Sequence, residues 1–310
     1  MAYNTDQAQD HSMSSHLAEF QECLRQLKRI VALVGAGLSV SSGLPTFRGS
    51  QGLWKNFNMI DLATPDAFYI DPGLVWQFYL WRRHQALLAQ PNNGHKALAK
   101  LAESKSRSFI TITQNVDGLL ARAGHSAKSL YEIHGSLFQL RCTSFTCTYV
   151  DKNNTEDPLT EALANTGEFE EEFAERDSNG EISDSVEISP RFTPTKELTL
   201  DELPKCPVCS SLMRPGVVWF GESLPLRVLD GIDTFLEAGP VDLILVIGTS
   251  GTVYPANSYV DLVRQRGGHV AIFNTDVDDE VLEGKVDKTW GFKGDAAEWL
   301  PRALEPVIGT

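Results

Sequence analysis

The sequence predicts an α/β fold in which helices cover both faces of a parallel β-sheet. Short runs dominated by apolar residues, such as Ile30 to Val34 and Phe109 to Thr113, are typical of strands that are buried on both faces. Segments with helical spacing of apolar side chains separate several of these runs, so strands and helices alternate along the chain. The turn Gly35-Ala36-Gly37 directly follows the first run, and such turns bring backbone N–H groups close to a pyrophosphate in Rossmann-like sheets.

The composition is that of a globular protein. The chain has 310 residues, 42% of them hydrophobic, which is enough for one sizeable domain and a smaller module. No apolar run is long enough to cross a membrane, and the first residues lack both a secretory core and an arginine before Arg25. We therefore expect a cytoplasmic and/or nuclear protein without a membrane partner, and a mitochondrial location is not excluded. A monomer is the default expectation.

The negative charge is concentrated in one segment. The net charge is −14, and residues 151–204 contain 16 acidic and 4 basic residues. Because this segment is highly charged and poor in apolar residues, we expect an acidic insertion that is largely disordered. Its charge, and the lack of a basic patch elsewhere, argue against nucleic acid as a partner.

The elements can be predicted in chain order. A polar, disordered segment at 1–16 is expected to precede a helix at Leu17 to Arg29. Thr64-Pro65 and Asp71-Pro72 have the pattern of helix starts, and Leu74 to Ala89 is aromatic-rich without an interior glycine or proline. Further helices are predicted at 95–103 and 118–123, and strands at 30–34, 109–113, 130–133, 217–219, 243–247, 270–273 and near 288–292.

Polar and small residues follow several of the predicted strands. Gln114-Asn115, His134 and Gly248-Thr249-Ser250 come directly after apolar runs, as the glycine turn does. Because ligands bind beyond the carboxyl ends of strands in such sheets, these residues are expected to converge on one crevice.

The stretch from Gly35 to Arg48 is more specific than its glycines. A GAG turn alone is also compatible with an ordinary strand-to-helix turn, because Gly43 comes too late for G-x-G-x-x-G. The whole stretch, GAGLSVSSGLPTFR, resembles the cofactor-binding signature of the sirtuins, GAG-x-S-x-x-SG-x-P-x-FR. Sirtuins are NAD-dependent protein deacylases. The resemblance therefore implies NAD as cofactor and acyl-lysine proteins or peptides as substrates.

The resemblance extends to later segments of the chain. Gln114-Asn115-Val116-Asp117 looks like the family's Q-N-[IV]-D, which handles the nicotinamide end of NAD, and Phe47 and Arg48 match its mobile cofactor loop. The cofactor-binding residues implied are Gly35, Ala36, Gly37, Ser39, Ser42, Pro45, Phe47, Arg48, Trp54, Gln114, Asn115, Val116, Asp117, Gly248, Thr249, Ser250, Asn274, Thr275, Asp276 and Ala296.

His134 is the candidate general base. A histidine after a strand is more often structural, but imidazole is the usual base at neutral pH and the family carries its base in an H-G segment like His134-Gly135. The resemblance implies that Asn115 and Asp117, which handle the nicotinamide end of NAD, are catalytic residues as well. In the implied reaction the acyl oxygen of the substrate attacks the nicotinamide ribose, nicotinamide leaves, and His134 activates a ribose hydroxyl. The products are nicotinamide, O-acyl-ADP-ribose and free lysine.

Four late cysteines suggest a structural metal site. An odd number of cysteines in an unsecreted chain favours metal binding over disulfides. The thiolates of Cys142, Cys147, Cys206 and Cys209 fit one tetrahedral Zn²⁺. Four residues lie between Cys142 and Cys147 where the family usually has two, and 58 residues separate Cys147 from Cys206. The alternative is that Cys142 and Cys147 do not both bind the metal.

Two segments are candidates for substrate binding. Val218, Trp219, Phe220, Gly221 and Glu222 resemble the segment on which sirtuins pair an extended acyl-lysine peptide. In the aromatic helix, Tyr79 and Arg82 lie three residues apart on one face and could bind a carboxylate. They resemble the Y-x-x-R pair of class III sirtuins, which remove succinyl, malonyl and glutaryl groups, and Ala63 matches the small residue of that class.

The predicted protein is thus a class III-like sirtuin with only weak activity on acetyl-lysine. Three alternatives are an ordinary deacetylase, a mono-ADP-ribosyltransferase, and a non-catalytic scaffold, which the intact Asn115, Asp117 and His134 disfavour. The predicted organisation is a Rossmann-like domain at 17–137 and 216–310, a helical module at 55–94, and a zinc-binding module at 138–215 that contains the acidic insertion.

Overall fold

The computed structural model describes residues 5–46, 53–55, 57–164, 195–249 and 258–309. The strands are β1 (Arg29–Val34), β2 (Leu53–Trp54), β3 (Phe57–Asn58), β4 (Ser108–Thr113), β5 (Leu130–Glu132), β6 (Gly135–Cys142), β7 (Val150–Asp151), β8 (Met213–Val217), β9 (Leu243–Ile247), β10 (His269–Asn274) and β11 (Thr289–Lys293). The helices are α1 (Thr5–Gln26), α2 (Gly37–Val40), α3 (Met59–Leu62), α4 (Pro65–Ile70), α5 (Pro72–Leu88), α6 (Asn93–Ala102), α7 (Leu119–Arg122), α8 (Leu226–Glu237), α9 (Ser258–Gln265), α10 (Asp279–Leu282) and α11 (Ala296–Ile308).

The core is a parallel sheet with the strand order β11-β10-β9-β1-β4-β5. Strand β1 lies between β4 and β9 and is parallel to both. Its side chains alternate between two apolar clusters, with Ile30, Ala32 and Val34 on one face and Val31 and Leu33 on the other. This explains its uninterrupted apolar sequence and confirms the predicted sheet. The strand order reverses next to β1, which places a topological switch point there.

Helices cover both faces of this sheet, as predicted. Phe20 of α1, Leu98 of α6 and Leu300 of α11 belong to the cluster on one face. Ile232 of α8 and Val263 of α9 belong to the cluster on the other. None of the helices in the described part of the chain has the length and apolarity that a membrane span requires.

The first helix is longer than predicted. Helix α1 begins at Thr5, not at Leu17, so the expectation of disorder before residue 17 is wrong for this segment. Periodic apolar residues mark only the part of α1 that packs on the sheet. The residues from Thr5 contain neither glycine nor proline, so nothing local ends the helix before the packed part.

A smaller antiparallel sheet carries the cysteines. Strand β6 pairs with β7 on one side and β8 on the other. The run predicted as a strand at 217–219 overlaps β8, which ends at Val217 and belongs to this small sheet rather than to the parallel one. An apolar run alone does not specify its partner strand, which is why the sequence did not distinguish the two sheets.

The helical module packs against this small sheet. Thr64 and Asp71 cap helices α4 and α5 as predicted, each followed by a proline at the first helical position. Trp76 of α5 and Leu140 of β6 belong to one apolar cluster that joins the two modules.

The two ends of the acidic insertion are ordered. Leu163 and Leu203 are buried, and the side-chain amide of Gln77 in α5 bonds to both the N–H and the carbonyl of Lys196 at 2.9 Å. The expectation of disorder is therefore wrong for residues 151–164 and 195–204, because a few leucines suffice to hold these ends on the helical module. Residues 165–194 lie outside the described residues.

Candidate functional site

A cleft of about 1300 Å³ lies at the switch point, beyond the carboxyl ends of β1, β4 and β9. It extends from these strand ends to helix α5 and to the segment after β8. The structure thus brings together the residues that follow separate strands in the sequence. Predicted site residues that line the cleft are Ala36, Gly37, Ser39, Pro45, Ala63, Tyr79, Arg82, Gln114, Asn115, Val116, Asp117, His134, Val218, Trp219, Phe220, Gly221, Glu222, Gly248, Thr249, Asn274, Thr275, Asp276 and Ala296.

The glycine turn is shaped by contact with a second turn. The N–H of Gly35 donates to the carbonyl of Ile247 at 2.8 Å, and that of Gly37 donates to the carbonyl of Gly248 at 2.9 Å. Gly248 has a φ of +56°, and a Cβ on it would lie 2.5 Å from the backbone nitrogen of Leu38. Side chains at these positions would separate the turns that follow β1 and β9.

Ser39 is the centre of a buried polar network. Its hydroxyl donates to Asp117 Oδ2 at 2.7 Å and accepts from Asn115 Nδ2 at 3.2 Å. His95 Nδ1 accepts from the backbone N–H of Asn92, so Nε2 carries the hydrogen and faces the Ser39 oxygen at 3.4 Å. One donor and two acceptor positions of the hydroxyl are therefore in use. Ser39 fixes the orientation of Asn115 and Asp117.

His95 was not among the predicted site residues. It is fully buried, and burial lowers its pKa to about 4 although Asp117 opposes the shift. The sequence shows it only as an early residue of a helix, and its partners Ser39 and Asp117 lie far away in the chain. Only the tertiary structure identifies it.

The orientation of His134 suits a proton acceptor. Its Nδ1 lies 3.0 Å from the carbonyl oxygen of Gln114, so Nδ1 carries the hydrogen and Nε2 retains a lone pair. Burial lowers the pKa of His134, and the hydrogen bond to Gln114 opposes this only in part. The imidazole is therefore neutral near pH 7. The side chain of Gln114 accepts from the Thr249 hydroxyl at 3.1 Å, which links β4 to β9 beside the base.

Three predicted cofactor residues do not line the cleft. Gly35 is buried in the backbone contact described above, and Ser42 accepts from Asn92 Nδ2 at 3.1 Å. Trp54 has no exposed surface and packs in the helical module, where its ring centroid is 5.6 Å from that of Phe78. Its contact with the cofactor stays a prediction. Phe47, Arg48 and Ser250 lie outside the described residues.

Tyr79 and Arg82 of α5 line the end of the cleft near Ala63. Tyr79 is buried, and its hydroxyl accepts a hydrogen bond from Trp219 Nε1 at 3.0 Å. Burial raises the pKa of Tyr79 to about 12, so the phenol stays neutral. Burial also lowers the pKa of Arg82, and this shift is opposed by Tyr79 and Asp117. This end of the cleft therefore contains a cation and a neutral hydroxyl.

Arg214 and Glu222 support the segment after β8. The two guanidinium nitrogens of Arg214 donate to the two carboxylate oxygens of Glu222 at 2.6 and 2.8 Å. The guanidinium also lies 3.5 Å from the centre of the Trp219 ring. Arg214 could not be selected from the sequence, because its partners are defined by the turn that follows β8.

The four cysteines of the small sheet form one cluster. The sulfur atoms of Cys142, Cys147, Cys206 and Cys209 all lie within 4.8 Å of one another. Two of the separations are 3.5 Å and 3.8 Å. A tetrahedron of sulfurs about 2.3 Å from a central Zn²⁺ has edges of about 3.8 Å. The wide spacing between Cys142 and Cys147 thus does not prevent the four sulfurs from meeting.

Comparison with known proteins gives a consistent picture. The model of the Sir2 family matches residues 35–255. An NAD-dependent protein deacylase of Candida albicans is 66% identical over 96% of this chain and 99% of its own length. The mitochondrial NAD-dependent protein deacylase sirtuin-5 of Canis lupus familiaris is 39% identical over 94% of this chain and 86% of its own. A solved Sir2 homologue–NAD complex superposes with a TM-score of 0.69 at 36% identity, over 94% of this chain and 93% of its own.

Proposed function

The chain belongs to the Sir2 family and is an NAD-dependent protein deacylase, and we propose that it prefers acyl-lysines whose acyl group ends in a carboxylate. Succinyl-, malonyl- and glutaryl-lysine are the groups of this kind. The observation that carries the proposal is the position of Tyr79 and Arg82, which line the same cleft as Ala63 and His134.

The chemistry at this end of the cleft favours an anion. An acetyl group ends in a methyl, which gains nothing from a guanidinium in a partly desolvated pocket. A carboxylate can accept two parallel hydrogen bonds from the planar guanidinium of Arg82 and a third from a neutral phenol. Ala63 leaves room for the longer acyl chain, because it is the smallest side chain that still has a Cβ.

The residues of the cleft suit the cofactor and the reaction. Bound NAD would supply the ribose carbon that accepts the acyl oxygen, with nicotinamide as the leaving group. Asn115 and Asp117, held by Ser39, are the groups that we assign to the nicotinamide end. His134 accepts a proton at Nε2, which is the free nitrogen of the neutral ring. Asn274, whose Nδ2 donates to the carbonyl of Thr249 at 3.2 Å, belongs to the adenosine end.

We also propose that the cysteine cluster holds one structural Zn²⁺. Four thiolates complete a tetrahedral site and leave no open position for a substrate. The cluster joins the loop after β6 to the loop before β8, so the metal would hold the small sheet together. No chemical step of the deacylation is assigned to it.

The remaining predictions concern partners and location. We propose a monomer that acts on acyl-lysine proteins and has no nucleic-acid or membrane partner. The dog relative is mitochondrial by name. The cytoplasm, the nucleus and the mitochondrion remain the predicted alternatives for this chain.

The test compares two substrates and one arginine. The value of kcat/KM is measured on a single peptide that carries either succinyl-lysine or acetyl-lysine. Wild type should prefer the succinyl peptide. Arg82→Met should reduce the succinyl-to-acetyl ratio by about thirtyfold, which corresponds to about 2 kcal/mol for a charge-assisted hydrogen bond. Arg302→Met, on α11 and outside the cleft, is the matched control and should leave the ratio unchanged.

Two other outcomes would contradict the proposal. Preference for the acetyl peptide together with no effect of Arg82→Met would indicate an ordinary deacetylase. Transfer of label from NAD to a protein that lacks acyl groups would indicate a mono-ADP-ribosyltransferase instead.

A further inference from the structure

The hydrogen-bonding direction of the Tyr79 hydroxyl is set by one neighbour. The distance from Trp219 Nε1 to the Tyr79 oxygen is 3.0 Å, and both side chains are buried. An indole N–H can only donate, so the phenol oxygen is the acceptor in this bond. The hydrogen of the phenol must therefore point away from Trp219. None of the residues that the structure describes accepts it.

Trp219 is itself held firmly. Its backbone N–H donates to Glu222 Oε2 at 2.9 Å. Its ring lies under the guanidinium of Arg214, at 3.5 Å, and the ring of Phe68 packs nearby with a centroid distance of 5.2 Å. Because Arg214 and Glu222 are also bonded to each other, the indole cannot turn without breaking a connected set of contacts.

The backbone on either side of Trp219 is hydrogen-bonded to the candidate base and to the acyl pocket. The N–H of Val218 donates to the carbonyl of His134 at 2.8 Å, and the N–H of Phe220 donates to the carbonyl of Ala63 at 2.9 Å. Trp219 therefore occupies a fixed position relative to the candidate base and to the acyl pocket. Because the indole N–H donates to the Tyr79 hydroxyl, the orientation of that hydroxyl is set relative to the same two residues.

We propose that Trp219 is a specificity-determining residue, whose indole N–H occupies one lone pair of the Tyr79 oxygen and thereby directs the phenol hydrogen to the carboxylate of an acidic acyl group. Trp219 acts here through Tyr79 and is a positioning residue. The inference rests on the proposed function, because only an acyl carboxylate needs that hydrogen. Burial raises the pKa of Tyr79 to about 12, so the phenol remains a donor throughout the usual assay range.

The test removes the indole N–H and keeps an aromatic ring. Trp219→Phe is assayed on the succinyl and acetyl forms of one peptide, and the ratio of the two kcat/KM values is the readout. Any loss that is common to both peptides cancels in this ratio. We expect the ratio to fall about fivefold, as for the loss of one aligned hydrogen bond. In the Tyr79→Phe background the same substitution should leave the ratio unchanged, because the hydroxyl it orients is absent.

Trp76→Phe is the matched control. The Trp76 indole lies on the same helix as Tyr79, is fully buried, and donates to the carbonyl of Met213 at 3.0 Å, not to the phenol. Its loss should lower stability without changing the ratio. If Trp219→Phe does not fold, Trp219→benzothienylalanine removes the N–H while keeping the shape of the ring. The same fivefold fall in the succinyl-to-acetyl ratio is expected for it.

The outcomes separate this inference from the proposed function. A ratio that Trp219→Phe leaves unchanged, or lowers equally with and without the Tyr79 hydroxyl, overturns the inference. An equal fall with Trp76→Phe also overturns it, since the effect would then be a general response of the core. A wild type without a succinyl preference, or one whose preference survives Arg82→Met, refutes the proposed function itself.

Discussion

Replacing Arg83 by methionine should destabilise the protein while leaving its choice of acyl group intact. Arg83 follows Arg82 in α5 but is fully buried and does not line the cleft. Its Nη1 donates to the carbonyl of Leu137 in β6. Its Nη2 donates to the carbonyl and side-chain oxygens of Asn154 at 3.0 and 2.8 Å, and to the carbonyl of Glu156 at 3.0 Å. Arg83 therefore joins the helical module to the small sheet.

The expected loss follows from the groups left behind. Methionine fills most of the volume, so the main cost is the loss of a donor for three carbonyls and one amide oxygen. A buried acceptor without a partner costs about 1–3 kcal/mol. Water can replace the lost donor at the exposed residue Glu156 but not at the buried Leu137. The variant also avoids the cost of desolvating a buried cation, which offsets part of the loss. That desolvation is substantial, because burial lowers the pKa of Arg83 to about 10 against the pull of Asp157. We expect a net loss of about 3 kcal/mol.

The assay measures stability and specificity on the same preparations. A loss of about 3 kcal/mol should lower Tm by about 6–12 °C for a protein of this size class. Well below its Tm, Arg83→Met should keep the wild-type succinyl-to-acetyl ratio. Arg82→Met should show the opposite pattern, with a large change in the ratio and less than half the change in Tm. A fall in Tm below about 2 °C, or a ratio that changes as much as in Arg82→Met, would refute this assignment of the two arginines.

Three further predictions concern ionisation and metal binding. Because burial lowers the pKa of His134, the base should stay neutral to below pH 6.5, and the acid limb of the kcat/KM profile should lie there. His134→Ala should lower kcat/KM on the order of a hundredfold or more at all pH values. An acid limb above pH 7 would contradict this. Burial raises the pKa of Glu132 to about 7, with Asp117 adding to the shift, so folding loses stability as pH rises from 4.5 through 7. Glu132→Gln should therefore raise Tm relative to wild type more at pH 8 than at pH 5, and an equal change at both would show that the carboxyl does not titrate as described. The purified protein should contain one zinc per chain, and removal of that zinc by a chelator, or Cys206→Ser, should lower both the zinc content and Tm; full stability without zinc would exclude a structural metal.

The parallel sheet could be predicted because its signal is local. Strands buried on both faces consist mainly of apolar residues, so β1, β4 and β9 are visible as largely apolar runs without knowledge of their partners. Their order in the chain and the residues that follow them then indicate one crevice. The glycine turn could be recognised in the same way, although its physical reason, the close approach of Gly37 and Gly248, appears only in the structure.

Residues whose role depends on distant partners could not be found in this way. His95 lies in an ordinary stretch, and its contact with Ser39 joins separate parts of the chain. Arg214 contacts Trp219 only because of the turn after β8, whose shape the sequence does not show. The burial of Trp54 was not predicted for a related reason, because a tryptophan near a glycine-rich loop is compatible with either a cofactor site or a core. Its environment depends on the tertiary structure, and here Phe78 and Trp81 of α5 pack against its ring.

The middle of helix α5 shows why sequence periodicity fails where a helix is buried on all sides. The residues from Val75 to Trp81 are all buried, so this part of the helix has no solvent face from which its core side could be inferred. Each buried polar side chain on it must then find a partner on a different neighbour. Gln77 bonds to the end of the acidic insertion, Tyr79 to the segment after β8, and Arg83 to the small sheet. Because these three contacts share one rigid helix with Arg82, a change in any of the modules that touch α5 can alter the position of the groups we assign to the acyl carboxylate.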